Sequence, residues 1–216
     1  MRVEGMMEDA ALAEVIRGAQ RGDPAAFDRL VESFASRISG FLFRMTGSRQ
    51  DSEDLAQEVF LRLVRMIGAY QHDGRFEAWL FRIAANLARD RVRRAKRSPT
   101  VFGDDESGAS GVGTDRGGRL DNTAGAAESA DARMILDEEI ERLNSALQML
   151  PTAEREVIAL RHFSQLSFKE IAEMTGTPLG TALARAHRGL AKLRDIMDGP
   201  GASSSADGAR IATAGG

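Results

Sequence analysis

Apolar positions in the first 97 residues recur every three or four residues, which is the spacing of one face of an α-helix. One stripe runs from Leu12 to Ala19 and stops at Gly22-Asp23-Pro24, and a second runs from Phe27 to Leu42. After Gly47 a third stripe runs from Leu55 to Ile67, and a fourth begins at Phe76. No alternation typical of a β-strand competes with these stripes. The pattern predicts a helical domain over residues 8–97.

A second helical pattern covers residues 132–197 and contains a predicted tight turn. Ser167 followed by Glu170 forms a capping box, which marks the start of a helix. Gly176 suits the left-handed position just past the end of that helix, Thr177 can cap the next one, and Pro178 fits the first position of that next helix. The sequence therefore predicts helix, three-residue turn, helix. The predicted fold class is all-α, with two small helical domains.

The second helix of this helix-turn-helix has two distinct sides. The side predicted to face the core carries Leu179, Ala182, Leu183, Ala186, Leu190 and Leu193. The opposite side carries a narrow polar stripe of Thr181, Arg185, Arg188 and Lys192. Such a helix enters the DNA major groove, where arginine pairs with guanine and other cations neutralise phosphates. The alternative is a surface helix with a solvated basic face.

Residues 98–131 separate the two blocks and lack apolar periodicity. They are rich in Gly, Ser, Asp and Ala, which predicts a flexible linker, and residues 198–216 predict a disordered tail. Seven acids and two arginines give the linker a charge of −5, so the rest of the chain carries +2 of the total −3. Residues 89–97 alone carry +5. A whole-chain pI near 5.7 therefore conceals strongly basic surface.

That basic run ends a helix that is apolar on two sides. Phe76, Trp79 and Leu80 lie on one side, and Phe81 lies nearly opposite. Two apolar sides need two partners, and the second could meet another helix, a partner protein or unstacked bases. Alternatively every ring belongs to the core. Trp79 lies at the polar edge of its stripe, so it is the ring best placed for partial exposure.

Composition excludes several classes of protein. There is no cysteine, and His72, His162 and His187 are too scattered to form a ligand set, so neither a metal nor another cofactor is expected. No segment has the length and hydropathy of a signal peptide or a membrane span. The sequence therefore predicts a cytoplasmic protein.

Taken in order, these blocks resemble the extracytoplasmic-function (ECF) group of bacterial RNA polymerase sigma factors. The resemblance rests on DAALAEVIRGAQRGDPAAFDRLVESF, DSEDLAQEVFLRLVRMIGAY, FEAWLFRIAANLARDRVRR and LPTAEREVIALRHFSQLSFKEIAEMTGTPLGTALARAHRGLAKLR. It implies a region 2-like domain (8–97) that melts the promoter at the minus-ten element and a region 4-like domain (132–197) that recognises the minus-thirty-five element. It also implies a transcription factor that is not an enzyme.

The resemblance assigns roles to individual residues. Contacts with core RNA polymerase would fall to Asp54, Gln57 and Glu58, with the two charged side chains exposed. Contacts with minus-ten promoter DNA would fall to His72, Arg75, Trp79, Asn86, Arg89, Arg93 and Arg94, with Asn86 at a pocket for a flipped base. Contacts with the upstream element would fall to Thr181, Arg185, Arg188 and Lys192. An anti-sigma factor is a further candidate partner.

The chain also departs from the family pattern. The linker is longer and more acidic than expected, and Leu183-Ala184 stands where a basic residue followed by serine is common. We expect Leu183 to pack against the helix that begins at Phe168. Two alternatives remain open: a stand-alone helix-turn-helix repressor or activator, and a protein-interaction adaptor without DNA affinity.

Overall fold

The computed structural model describes residues 9–97 and 130–199, and every regular element in these ranges is helical. The elements are α1 (Asp9–Gln20), α2 (Pro24–Thr46), α3 (Arg49–Met66), a 3₁₀ turn (Ile67–Ala69), α4 (Phe76–Arg97), α5 (Ala130–Met149), α6 (Thr152–Phe163), α7 (Phe168–Thr175) and α8 (Leu179–Asp198). The all-α prediction is confirmed. None of the described helices is long and apolar enough to cross a membrane.

The boundaries predicted for the second half differ slightly from those of the structure. α5 begins at Ala130, two residues before the predicted domain start. The rest of the predicted linker, 98–129, and the predicted tail from residue 200 onward lie outside the described residues. The two helical groups are called the first half (9–97) and the second half (130–199) below.

The first half is built around α2, which contacts α1, α3 and α4. The Asp23 carboxylate begins this helix by accepting a hydrogen bond from the backbone N–H of Ala25 (3.0 Å). Pro24 fits the first position because no partner is needed there for an N–H. Gly47 ends the helix in the left-handed conformation, with φ of 74°.

Both apolar sides of α4 are packed inside the protein. Phe76 meets Phe34 of α2 with ring centroids 5.5 Å apart, and Phe81 meets Phe41 edge-on at 5.8 Å. All four rings are buried. The hypothesis that the Phe81 side of the helix is open to bases or a partner is therefore wrong, because that side completes the core.

The second half contains the predicted helix-turn-helix as α7 and α8. Ser167 Oγ accepts from the Glu170 N–H (3.3 Å), while the Glu170 carboxylate accepts from the Ser167 N–H (2.8 Å), which confirms the capping box. Gly176 adopts the predicted left-handed conformation, with φ of 66°. The cap predicted for α8 is wrong by one residue: Pro178 precedes its first helical residue, and the Thr177 hydroxyl lies 3.0 Å from that of Thr175.

The two halves pack against each other, mainly through α2 and α6. Gly40 of α2 leaves room for the ring of Phe163 at the end of α6. Arg37 Nε donates to the Phe163 carbonyl (2.8 Å), and its Nη1 donates to Glu77 of α4 (2.8 Å). The Gln148 side-chain amide donates to the Arg44 carbonyl (2.8 Å). Docking of the halves was not predicted from the sequence.

Candidate nucleic-acid interface

One face of α4 combines an aromatic ring, an amide and several cations. Its members follow one another at intervals of three or four residues and therefore share a side of the helix: Trp79, Arg82, Asn86, Arg89 and Arg93. We call this set the α4 basic face. Sequence reasoning missed Arg82, although its spacing from Trp79 and Asn86 signals the same side. Arg82, Asn86 and Arg93 are exposed, and Trp79 and Arg89 are half-buried.

Trp79 belongs to an aromatic cluster at the start of α4. Its ring lies 4.7 Å from that of Tyr70 and 5.6 Å from that of Phe76, measured between centroids. Phe76 is buried, whereas Trp79 keeps an accessible part, as its position at the polar edge predicted. Burial, assisted by the negative charge of Asp73, raises the pKa of Tyr70 to about 12.

A cavity of about 290 Å³ lies beside this cluster. The first half lines it with the end of the loop before α4, including Arg75, together with Trp79 and Arg82. The second half closes it with Glu170, Glu173 and Met174 of α7, and Arg75 Nη1 lies 3.2 Å from Glu173 Oε2. α7 therefore covers the part of the predicted minus-ten site that contains Arg75 and Trp79. His72 is exposed in the same loop.

Arg89 makes a second contact between the halves. Its Nε lies 3.1 Å from Glu156 Oε1 of α6, but the N–H points to the Ala85 carbonyl (3.3 Å), so the contact with Glu156 is an ion pair without a hydrogen bond. Burial raises the pKa of Glu156. Arg89 Nη2 donates to Asn86 Oδ1 (2.8 Å), and Asn86 remains exposed.

The remaining two predicted minus-ten residues lie on different sides of α4. Arg93 belongs to the α4 basic face and pairs with Asp90 of the same helix at 2.8 Å. Arg94 instead lines a cavity of about 300 Å³ between α3 and α4, together with Asp54 and Glu58. The structure thus places Arg94 beside the predicted polymerase contacts and apart from the α4 basic face.

The predicted polymerase contacts lie together on α3. Asp54 and Gln57 are exposed, while Glu58 is half-buried and pairs with Arg62 (2.7 Å), so the expectation of a fully exposed Glu58 is wrong. Two large apolar side chains accompany them, since Leu61 and Val64 are both exposed. Sequence reasoning missed this pair. The signal that could have found them is that they lie off the apolar stripe of this helix, which consists of Leu55, Val59, Phe60, Leu63 and Ile67.

The predicted upstream-element residues Arg188 and Lys192 face α6 of their own half. Glu154 of α6 binds Lys192 Nζ at 2.9 Å and Arg188 Nε at 3.4 Å. The bond from Lys192, followed by Arg188, lowers the pKa of Glu154. Arg185 is half-buried, and its positive charge partly offsets the rise in the pKa of Glu156 that burial causes. Thr181 is also half-buried. The basic stripe therefore lies along the flank of α8 next to α6.

The buried side of α8 differs from the predicted one. It consists of Ala182, Ala186 and Gly189, while three leucines of the predicted core side are exposed: Leu179 (45%), Leu183 (44%) and Leu190 (54%). Leu183, which we expected to pack against α7, keeps much of its side chain in solvent. At about 100° per residue, the buried side is rotated by roughly 45° from the predicted one.

Comparison with known proteins places both halves in one family. Residues 30–98 match Sigma-70 region 2, and residues 140–193 match Sigma-70, region 4. The RNA polymerase sigma-H factor of Pseudomonas aeruginosa is 33% identical over 81% of this chain and 88% of its own length. The ECF RNA polymerase sigma factor SigW of Bacillus subtilis is 33% identical over 83% of this chain and 92% of its own length.

A solved structure agrees with this assignment. CnrH, determined in complex with the cytosolic domain of CnrY, has a TM-score of 0.59 and 25% identity, over 86% of this chain and 96% of CnrH. With both sigma regions matched in order and relatives aligned over most of their lengths, the chain belongs to the ECF family of RNA polymerase sigma factors.

Proposed function

We propose that this protein is an alternative sigma factor that binds core RNA polymerase, directs it to specific promoters and helps to melt the DNA there. The observation that supports this most is the α4 basic face, where a partly accessible Trp79 stands in line with Asn86 and three arginines. A duplex-binding helix needs the cations, whereas capture of unstacked bases also needs a ring or a pocket.

Promoter melting has an energetic requirement that this face meets. Extruding a base costs a few kcal/mol of lost pairing and stacking. A base stacked on an aromatic ring contributes about 1–3 kcal/mol, so one or two captured bases offset one opened step. Trp79 is the proposed ring, Asn86 the proposed base contact, and Arg82, Arg89 and Arg93 the proposed phosphate contacts.

Core polymerase binding is assigned to α3. Asp54, Gln57 and Glu58 supply the polar contacts that the resemblance implies, and the exposed Leu61 and Val64 extend the same surface with apolar area. An exposed apolar pair flanked by acids is typical of a protein interface.

Promoter binding by both halves requires them to separate. Arg75 and Arg89 each face a carboxylate of the second half. A DNA phosphate that binds either arginine has to take the place of that carboxylate. Sites two DNA turns apart are roughly 70 Å distant, whereas the contact between Gly40 and Phe163 holds the halves directly against each other. Polymerase binding therefore accompanies opening of the α2–α6 contact.

The remaining features of the proposal follow from this role. The protein acts in the cytoplasm and carries no catalytic residue, because polymerase performs the chemistry. Since CnrH is solved with the cytosolic domain of CnrY, an anti-sigma factor that binds the closed arrangement is a proposed partner.

Transcription in vitro tests the proposal. Core polymerase with this protein should give promoter-specific transcripts from a genomic promoter library, and these should vanish when the protein is omitted. Binding to an operator by the protein alone, without polymerase, would support the stand-alone regulator instead. Absence of any salt-sensitive DNA binding, even with polymerase, would support the adaptor.

A pair of variants tests the polymerase surface. Replacing Asp54 and Glu58 with lysine should abolish co-purification with core polymerase. The control variant replaces Glu138 and Glu139, two exposed acids of α5, with lysine. It makes the same change of charge at a different surface and should leave co-purification intact. Equal binding by both double variants, each helical by circular dichroism, would reject the α3 assignment.

A further inference from the structure

The solvent-facing side of α8 carries large apolar side chains, while its buried side carries small ones. Leu179, Leu183 and Leu190 are 44–54% exposed. Apolar side chains that are exposed together on one helix face are typical of an interaction surface. None of these three leucines belongs to the hydrophobic core of the described residues.

The close packing of α8 on α6 explains why the leucines turn outward. A Cβ added at Gly189 would lie 2.7 Å from Ile158 Cδ1 and 3.2 Å from Glu154 Cβ. A small residue fits a helix contact this tight, which explains the glycine at 189, and the other buried residues of α8, Ala182 and Ala186, are small as well. The leucines are then displaced to the flank and face solvent.

The cations of α8 occupy the opposite flank. Glu154 forms ion pairs with Arg188 and Lys192, and the positive charge of Arg185 favours the ionised form of Glu156. Arg188 and Lys192 nevertheless keep about half of their side-chain surface exposed (56% and 48%). α8 therefore presents an apolar flank led by Leu183 and, on the opposite side, a basic flank, and a partner that surrounds the helix with both anionic and apolar groups fits both.

DNA has that chemistry in its major groove. The phosphates are anionic, and each thymine displays a C5-methyl group there. In a helix-turn-helix the first turns of the second helix contact base edges. Leu183 lies in the second turn of α8, whereas Leu190 lies about two turns further on.

We infer that Leu183 recognises a thymine in the upstream promoter element by packing against its C5-methyl group. The inference rests on the proposed function and makes Leu183 a determinant of promoter specificity. A leucine side chain can make only an apolar contact with a base edge, so the preferred base at that position is thymine. Arg188 and Lys192 contact the neighbouring phosphates.

Removal of a single methyl group tests this contact. Holoenzyme, made from this protein and core polymerase, is first used to select its preferred upstream element from a randomised promoter library. Each thymine of that element is then replaced singly by deoxyuridine, which lacks only the methyl group. One replacement should lower holoenzyme affinity about fourfold, the factor expected for one buried methyl group.

Three variants assign the effect to Leu183. Leu183→Ala should bind the thymine and deoxyuridine promoters equally, and Leu183→Met should retain the preference for thymine. Leu190→Ala removes an equally exposed leucine of the same helix and should leave the preference unchanged.

Two results would overturn the inference while the proposed function stands: wild-type holoenzyme indifferent to every deoxyuridine, or Leu183→Ala with the preference intact. If Leu183→Ala abolishes self-association or anti-sigma binding without changing the thymine preference, the leucines form a protein interface and the inference is also wrong. If no promoter-specific transcript forms at all, the proposed function itself fails.

Discussion

The contact between the two halves predicts an unusual result for Gly40→Ala. Gly40 lies inside α2, where alanine favours the helix by about 1 kcal/mol over glycine. The added Cβ would also lie 2.5 Å from Cε1 of Phe163 and 3.0 Å from its Cζ, which forces the ring to move. Overpacking of this kind costs about 1–3 kcal/mol. The two effects oppose each other and are separable.

A double-mutant cycle separates them. In the full chain, Gly40→Ala should lower the free energy of unfolding by about 0–2 kcal/mol, the overpacking cost less the helix gain. In the Phe163→Ala background the clash is absent, so Gly40→Ala should instead raise the free energy of unfolding by about 1 kcal/mol. The predicted coupling between the two positions is therefore about 1–3 kcal/mol.

Urea unfolding followed by circular dichroism gives the four free energies, provided that the slope with denaturant stays constant. Gly180→Ala serves as the control, because a Cβ there meets nothing within 4 Å, and it should not destabilise the protein in either background. If Gly40→Ala has the same effect with and without the Phe163 ring, α2 and α6 are not in contact in solution, and the closed arrangement of the halves is refuted.

Four further predictions concern single side chains. Ser167→Ala removes the cap of α7 and should cost about 1 kcal/mol in urea unfolding, whereas Thr177→Ala, which removes no cap, should cost less. Tyr70 is the only tyrosine, so an ultraviolet titration should give its pKa at about 12, and a value near 10 would mean that its hydroxyl is solvated. Because burial raises the pKa of Glu156, Glu156→Gln should stabilise the protein at pH 7, and the gain should disappear as the pH falls below 4.5. Since Lys192 lowers the pKa of Glu154, Glu154→Gln should destabilise the protein at pH 7, and a change of the same sign for the two variants would contradict one of the two assignments.

Local patterns were sufficient to predict the helices and most of their ends. The capping box at Ser167 and the left-handed Gly176 depend on interactions within a few residues, so the sequence contains all the information needed. The same is true of the α4 basic face, because a helical repeat alone places Trp79, Asn86 and Arg93 on one side. The order of the motifs also identified the family.

Partners between distant segments could not be predicted in this way. The sequence shows that Arg75 and Arg89 are cations, but only the packing of α6 and α7 brings Glu156 and Glu173 to them. Likewise, hydropathy marks Phe81 as apolar without showing whether a helix or a base covers its side of α4. In the structure, Phe41 of α2 packs against Phe81, so a helix covers that side.

The orientation of α8 shows most clearly what hydropathy alone does not predict. Hydropathy assigns the largest apolar side chains to the core, and on that rule Leu183 and Leu190 should be buried. The tertiary structure instead brings α6 close to α8 at Gly189, and the residues of α8 that are buried are the small ones, Ala182, Ala186 and Gly189. The sequence determined that α8 is a helix with an apolar and a basic flank. The distance between two helix axes, which is a property of the packed core, decided which side of it meets solvent.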